Sequence, residues 1–308
     1  DNKGINPIND LYLIFQYLKI FYQFEPNVIL TYTIKPNIYG SLSAYILSIP
    51  IVNNISGLGT AFIKGGLLGN IVNFLYKISL RKSEHVFFQN YDDENLFLKK
   101  NLVTKDQVSV LPGSGVNLEY YQPQKSNIFN KDQGEFIFLL IARLIWDKGI
   151  QEYVSAARIV KEYSPTSRFQ ILGFLGVDNQ TAVPRSQVDL WVTEGVIEYI
   201  GVAKDVRPYI DSSNCVVLPS YREGVPKTLL EAAAMGRPII TTKVEGCKEV
   251  VDDGINGYLC NARDDKDLAE KMKIMLTTSS KDIVQMGLSG RKKMEKEFDE
   301  KIVINMYL

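Results

Sequence analysis

The chain has 308 residues, 45% of them apolar, with 35 basic and 35 acidic side chains. That length suffices for two domains with separate cores, and the apolar share excludes a disordered chain. The formal net charge of zero leaves no global nucleic-acid footprint, and no apolar run is long and unbroken enough to span a bilayer. Cys215, Cys247 and Cys260 have no metal-ligand spacing and read as reduced packing residues of a cytosolic protein.

In chain order, Leu11, Ile14, Phe15, Leu18 and Phe21 recur at helical spacing and predict a helix over 11–24 packed on a sheet. A strand at 28–32, a helix over 38–47 and a strand at 49–53 follow. A helix over 69–83, a strand at 85–89, a helix over 94–101 and an extended run at 108–111 complete one Rossmann-like half. No Asp or Glu occurs from Pro26 through Ser83, whereas Lys35, Lys64, Lys77, Arg81 and Lys82 do, among Phe62, Leu67, Leu68, Phe74 and Leu75. Such a stretch suits an anionic membrane surface, or equally a domain whose acids lie elsewhere. Residues 116–134 are polar and poorly periodic, contain Pro123, and read as an interdomain linker. A buried strand at 136–141 opens a second half in which helices and strands alternate to about residue 276. Helices over 281–297 and 300–308 end the chain.

Two glutamates, Glu223 and Glu231, stand out in that second half. Cys215 to Leu218 is a short apolar run expected as a buried strand, and Pro219 and Gly224 punctuate the loop after it. Pro226 suits a first helical turn, Leu229, Leu230 and the alanines at 232–234 favour helix, and Gly236 with Pro238 ends it. Ile239 and Ile240 begin the next strand. This is the strand–loop–helix–strand unit of a parallel sheet, whose ligands bind beyond the carboxyl ends of the strands. Glu223 falls at such an end, and the free amides of a helix start favour an anion. The layout can hold the two ends of an extended polar ligand with a negative middle. In the plainer alternative, Glu223 caps the helix and Glu231 is solvated.

Arg143 and Lys148 follow strand 136–141 at its carboxyl end, where a planar fork and a point charge can meet on one phosphate. The plainer alternative is two solvated cations beside a turn. Thr33, Lys35 and Asn37 follow strand 28–32, and Lys35 suits an acceptor phosphate or, equally, a loop-capping role. Gly57 and Gly59 permit close approach of backbone to a ligand, or equally form a plain tight turn. The doublets Asp92-Asp93, Asp252-Asp253 and Asp264-Asp265 make no metal site with matched ligands. His85, the only histidine, opens a strand and reads as structural.

The run 220–242 resembles the Glu-x7-Glu motif of retaining glycosyltransferases with the GT-B fold, in the large family 4. It is most similar to the capsule and O-antigen branch. The runs 31–40, 53–60 and 141–149 carry the same resemblance, which extends over nearly the whole chain. It implies an α/β architecture of two Rossmann-like domains facing a cleft. The expected limits are 1–123 for an acceptor-side domain, truncated before the family's opening strand and glycine-rich loop, and 124–290 for a nucleotide-sugar domain. A terminal helix over 291–308 would return to the first domain. The resemblance implies that Arg143 and Lys148 bind the donor diphosphate and stabilise it as it leaves. It places Glu231 on the ribose hydroxyls and Glu223 at the donor sugar, with Gly224, Lys227 and Thr228 along the diphosphate or sugar. Thr33, Lys35, Asn37, Gly57 and Gly59 fall on the acceptor side. Many members carry a histidine near the position of Asn54; this chain does not, and a histidine-based mechanism is not expected.

The expected activity is transfer of a hexose or N-acetylhexosamine from a UDP-sugar to a lipid-linked saccharide, with retention and with no cofactor or metal. The expected place is the cytoplasmic face of a bacterial membrane, in peripheral contact with anionic lipid. Two other readings stay open: a non-catalytic sugar-nucleotide-binding or scaffold protein, and a UDP-sugar 2-epimerase of the same fold.

Overall fold

The computed structural model of the chain describes residues 7–57, 66–123, 135–179 and 181–308. The chain divides into two compact units, Asp1–Gly113 and Ser114–Leu308.

In the first unit, β1 (Ile29–Tyr32), β2 (Ile51–Ile55), β3 (His85–Phe88) and β4 (Val108–Val110) pair in parallel, in the order β1-β2-β3-β4. Helix Pro7–Phe24 turns Tyr17 and Phe21 toward Ile29, Ala44 and Ile51 but leaves Tyr12, Phe15 and Tyr22 exposed. The expected packing on the sheet thus holds for one stripe of that helix. Helix Gly66–Ser79 starts earlier than the pattern suggested and stops at Ser79, where the chain tightens into the single turn Leu80–Lys82. Helix Tyr91–Lys99 also starts early, because Asn90 caps it: its Oδ1 accepts the Asp93 N–H at 2.8 Å. Asp92 and Asp93 sit in that first turn, where the helix dipole favours acids, so this doublet serves helix initiation.

In the second unit, β5 (Ile137–Ile141), β6 (Arg168–Leu172), β7 (Glu198–Gly201), β8 (Cys215–Leu218), β9 (Ile239–Thr242) and β10 (Gly257–Cys260) form one six-stranded sheet. Its order is β7-β6-β5-β8-β9-β10, with every pair parallel. The apolar runs of β5 and β8 have no polar face because both faces are covered. Phe138, Leu140, Cys215 and Val217 point to one side, against Tyr153, Val154, Leu268 and Met272. Leu139, Ile141, Val216 and Leu218 point to the other, against Ile210, Leu229, Leu230 and Ala233. Burying each such aliphatic side chain contributes roughly 1.5–3 kcal/mol. All three cysteines are buried and free, and burial pushes the Cys247 and Cys260 thiols up to about 12, which leaves them as apolar fillers.

The division falls at Gly113/Ser114, ahead of the run expected as linker. Val116 already belongs to the second unit: its N–H donates to Phe298 O at 2.8 Å, and its carbonyl accepts from Glu300 N–H at 3.1 Å. Gly115, at φ +68°, lets the chain pass against the Glu300 backbone, where a Cβ would come within 2.6 Å of Cα. Helices Ser280–Glu297 and Glu300–Tyr307 therefore group with the second unit, whereas residues 291–308 were expected with the first.

Candidate functional site

The chain leaves β5 for β6 and β7 on one side, then returns to build β8, β9 and β10 on the other. Between β5 and β8 the connections diverge, which opens a crevice at the carboxyl ends of these two strands. A cavity of about 180 Å³ lies there, walled by Ile141, Ala142, Leu218 and Pro226 and bordered by Arg143, Lys148, Glu223, Lys227 and Thr228.

Each of these side chains is delivered by local chemistry. After β5, the chain turns through Trp146–Lys148 and enters helix Ile150–Tyr163 at Gly149, which is left-handed at φ +71°. A Cβ on Gly149 would overlap the Pro219 carbonyl, so only glycine lets the Lys148 turn lie against the loop after β8. The Asp147 carbonyl accepts from Tyr221 N–H at 2.9 Å and Ser220 Oγ at 3.1 Å, joining the two loops. Thr242 Oγ1 donates to Ser220 O at 2.5 Å and Thr241 Oγ1 to Leu218 O at 2.7 Å, which fixes the far side of the same loop. Gly246, at φ +79°, admits the Gly224 carbonyl into space a side chain would fill.

Lys148 Nζ donates to Glu223 Oε1, and both side chains are largely buried. Arg143 is exposed and has no acidic partner among the described residues. Helix Lys227–Ala234 begins at Pro226 without a side-chain cap, and Lys227 and Thr228 of its first turn border the cavity. Three cations against one carboxylate give the cavity a positive surplus, and the helix start adds to it.

Glu231 sits one turn further along that helix, 8% exposed, and does not border the cavity. Its Oε1 accepts from Tyr121 Oη at 2.8 Å. Burial raises its pKa above the ordinary glutamate range, while the Tyr121 hydrogen bond and the Lys227 charge pull it back. The plainer alternative of a solvated Glu231 is thus excluded. Glu223 likewise pairs with Lys148 and forms no side-chain cap on the helix.

The acceptor-side residues are arranged differently. Asn37 is 1% exposed and turned inward: its Nδ2 donates to Asn54 O at 2.8 Å, and its Oδ1 accepts from Thr31 Oγ1 at 2.7 Å. Asn53 Nδ2 joins the same network through Thr31 Oγ1, Ser41 Oγ and Asn37 Oδ1. Lys35 lies 3.2 Å from Asp10, a buried acid on helix Pro7–Phe24. Thr33 adopts φ +68° at the end of β1, and Gly57 φ +137° beyond β2. Gly59 lies outside the described residues. His85 Nε2 lies 3.0 Å from Ser109 Oγ within the sheet, and burial lowers its pKa.

Sequence reasoning missed Tyr121, which fell in the run taken as linker, and two supporting glycines: Gly246, and Gly173, where a Cβ would overlap the carbonyl of Ala142 on the cavity wall. An isolated glycine carried the only signal for the last two; for Tyr121 there was none.

Two Rossmann-like units, the second with a basic, helix-faced crevice at its switch point, define the GT-B class of α/β folds. Residues 135–278 match the family described as glycosyl transferases group 1, and residues 1–90 match glycosyl transferase 4-like. The chain belongs to these glycosyltransferases. It is 28% identical, over 99% of its length and 82% of the relative's, to the N,N'-diacetylbacillosaminyl-diphospho-undecaprenol alpha-1,3-N-acetylgalactosaminyltransferase of Campylobacter jejuni. It is 24% identical to the UDP-Gal:alpha-D-GlcNAc-diphosphoundecaprenol alpha-1,3-galactosyltransferase of Escherichia coli, over 85% of this chain and 69% of the relative. Among solved structures, Anabaena Alr3699/HepE in complex with UDP and glucose superposes with a TM-score of 0.81 at 17% identity, over 99% of this chain and 83% of that one.

Proposed function

We propose that the chain transfers a hexose or N-acetylhexosamine from a UDP-sugar to a lipid-linked saccharide, with retention at the anomeric carbon, during bacterial surface-polysaccharide assembly. One observation carries this reading: Arg143, Lys148 and Lys227, with the uncapped start of helix Lys227–Ala234, converge on one cavity that holds a single carboxylate. That charge surplus suits a diphosphate, and the cavity lies where α/β sheets bind nucleotides. The relatives named for diphospho-undecaprenol acceptors and the neighbour solved with UDP and glucose support the choice of ligands.

In this reading the diphosphate rests on Arg143, Lys148 and the helix amides, the ribose hydroxyls on Glu231, and the sugar beside Glu223. The acceptor hydroxyl attacks the anomeric carbon on the face from which the diphosphate departs. The new C–O bond forms as the C–O bond to phosphate breaks, and the departing phosphate oxygen takes the hydroxyl proton. Arg143 and Lys148 stabilise the negative charge that grows on the leaving group, so the protein supplies the positive charge itself and no bound metal is required. Glu223 stabilises the positive charge at the anomeric carbon. In this reading the chain meets the cytoplasmic membrane surface peripherally; among the described residues no helix is long and apolar enough to cross a membrane.

The test is a panel of UDP- and GDP-sugars incubated with and without an undecaprenyl-diphosphate-linked saccharide. Nucleotide release that depends on the acceptor, with product anomeric configuration matching the donor by NMR, supports the reading. Binding without turnover would leave a sugar-nucleotide-binding protein, and inversion at C2 of the free donor would make it an epimerase.

A further inference from the structure

Glu231 takes its partner from a segment remote in sequence. Tyr121 Oη donates to Glu231 Oε1 at 2.8 Å, and the way Tyr121 is held is unusually complete. Asn117 Oδ1 accepts the N–H groups of Glu119 at 3.0 Å and Tyr120 at 2.7 Å, and the Tyr121 N–H donates to Asn117 O at 2.9 Å. Arg291, from helix Ser280–Glu297, donates to Tyr121 O at 2.6 Å and to Ala234 O at 2.9 Å through Nη1, and to Leu118 O at 3.2 Å through Nη2. Ala234 is the last residue of the helix that carries Glu231. One rigid guanidinium therefore ties the Tyr121 backbone to the end of the Glu231 helix, which sets the separation of phenol and carboxylate. Gly287 and Gly290 let the Arg291 helix approach closely: a Cβ on Gly290 would touch Ala233 at 3.6 Å, and one on Gly287 would overlap the Gly236 carbonyl. The Arg207 guanidinium lies 3.7 Å from the centre of the Tyr120 ring and steadies the adjacent residue.

We infer that Tyr121 is a positioning residue for the donor nucleoside: it occupies one oxygen of Glu231 and so presents the other to the ribose diol. The inference rests on the reading of Glu231 as the ribose ligand. An ionised carboxylate only accepts hydrogen bonds, and the phenol consumes part of that capacity while fixing the rotamer. What remains is an acceptor aimed in one direction, which a hydroxyl pair satisfies and a deoxyribose does not. The phenol donor also favours the charged form of Glu231 against the desolvation that burial imposes.

The experiment measures binding of UDP, 2′-deoxy-UDP and 3′-deoxy-UDP by calorimetry to the wild-type chain, Tyr121→Phe and Glu231→Gln, with thermal melts as a folding control. Phenylalanine keeps the ring and removes only the hydroxyl. In Tyr121→Phe, UDP is expected to bind about 3- to 10-fold more weakly while the deoxy analogue that lacks the contacted hydroxyl binds as before, with kcat at saturating donor unchanged. Equal weakening of all three nucleotides, or no change, would overturn the positioning role. If Glu231→Gln loses the preference for UDP while Tyr121→Phe keeps it, the ribose reading stands and only this inference fails. A wild-type chain that binds all three nucleotides equally would sink both.

Discussion

The two units each gather polar residues beside a parallel sheet, and they use them in opposite ways. In the first unit, Thr31, Asn37, Ser41, Asn53 and Ser83 are short, neutral and buried, and they bond to one another. In the second, Arg143, Lys148 and Lys227 are long and charged, border a cavity, and meet a single carboxylate there. A buried polar group must find partners, and a closed neutral network finds them within the fold. A positive surplus beside an open cavity is satisfied only by an anion from outside. Polar residues at a strand end thus mark a binding site when their hydrogen bonds and charges are left over, not when they are merely present.

The largest effect expected from this contrast is at Glu223. In the proposed reading Glu223→Gln removes the charge beside the donor sugar, and turnover is expected to fall by about 10²–10³-fold. The same change releases Lys148 from its ion pair, so UDP is expected to bind as tightly or more tightly. Steady-state kinetics with the donor, together with UDP titration, separate the two quantities. Undiminished turnover would remove Glu223 from the chemistry. Next in size is Lys148→Ala, which is expected to weaken UDP by about 10- to 100-fold, the usual cost of one charge-assisted hydrogen bond. Asn53→Ala is the matching change in the first unit. Asn53 donates to three side chains and accepts from Ser83 Oγ at 2.5 Å, so its loss leaves buried groups unpaired. A fall of about 1–3 kcal/mol in unfolding free energy by denaturant titration is expected, with UDP affinity unchanged. If Asn53→Ala weakened UDP as Lys148→Ala does, the division between the units would collapse.

The alternating α/β pattern was legible because parallel strands covered on both faces read as unbroken apolar runs, as in Cys215 to Leu218 and Ile137 to Ile141. The grouping of Arg143, Lys148 and Glu223 was legible too, since each follows a strand and the strands share a sheet edge. The Lys148–Glu223 ion pair was not, because it joins residues on two separate loops. Nor was the role of Gly149, whose need for φ +71° comes from Pro219, far along the chain. Asn37 misled for a related reason: its position after β1 is that of a ligand-binding residue, but its side chain turns inward to Asn54 and Thr31. The unit boundary moved because Val116 pairs with Phe298 and Glu300, contacts that no local pattern encodes.

Glu231 offers the smallest effect and the sharpest test of the contrast, because it is buried like Asn37 yet belongs to the charged group. Burial raises its pKa, with Tyr121 and Lys227 opposing. A carboxyl whose folded pKa lies above its unfolded value binds its proton more tightly in the folded chain. Its contribution to stability is then full below the unfolded pKa and is lost as pH rises through the folded pKa. In the nucleotide-free protein the ionised carboxylate therefore stands as a cost at neutral pH. Glu231→Gln removes that titration, so its stability relative to wild type is expected to be higher at pH 7 than at pH 4 in thermal melts. If Glu231 is the ribose ligand, added UDP is expected to reverse the ranking at pH 7, since only the wild type then offers the ribose a carboxylate. A Gln variant whose relative stability instead falls from pH 4 to pH 7 would mean that Tyr121 and Lys227 hold the carboxylate ionised for the fold's own sake. Glu231 would then belong with Asn37 and Asn53, a polar group whose partners all lie within the chain.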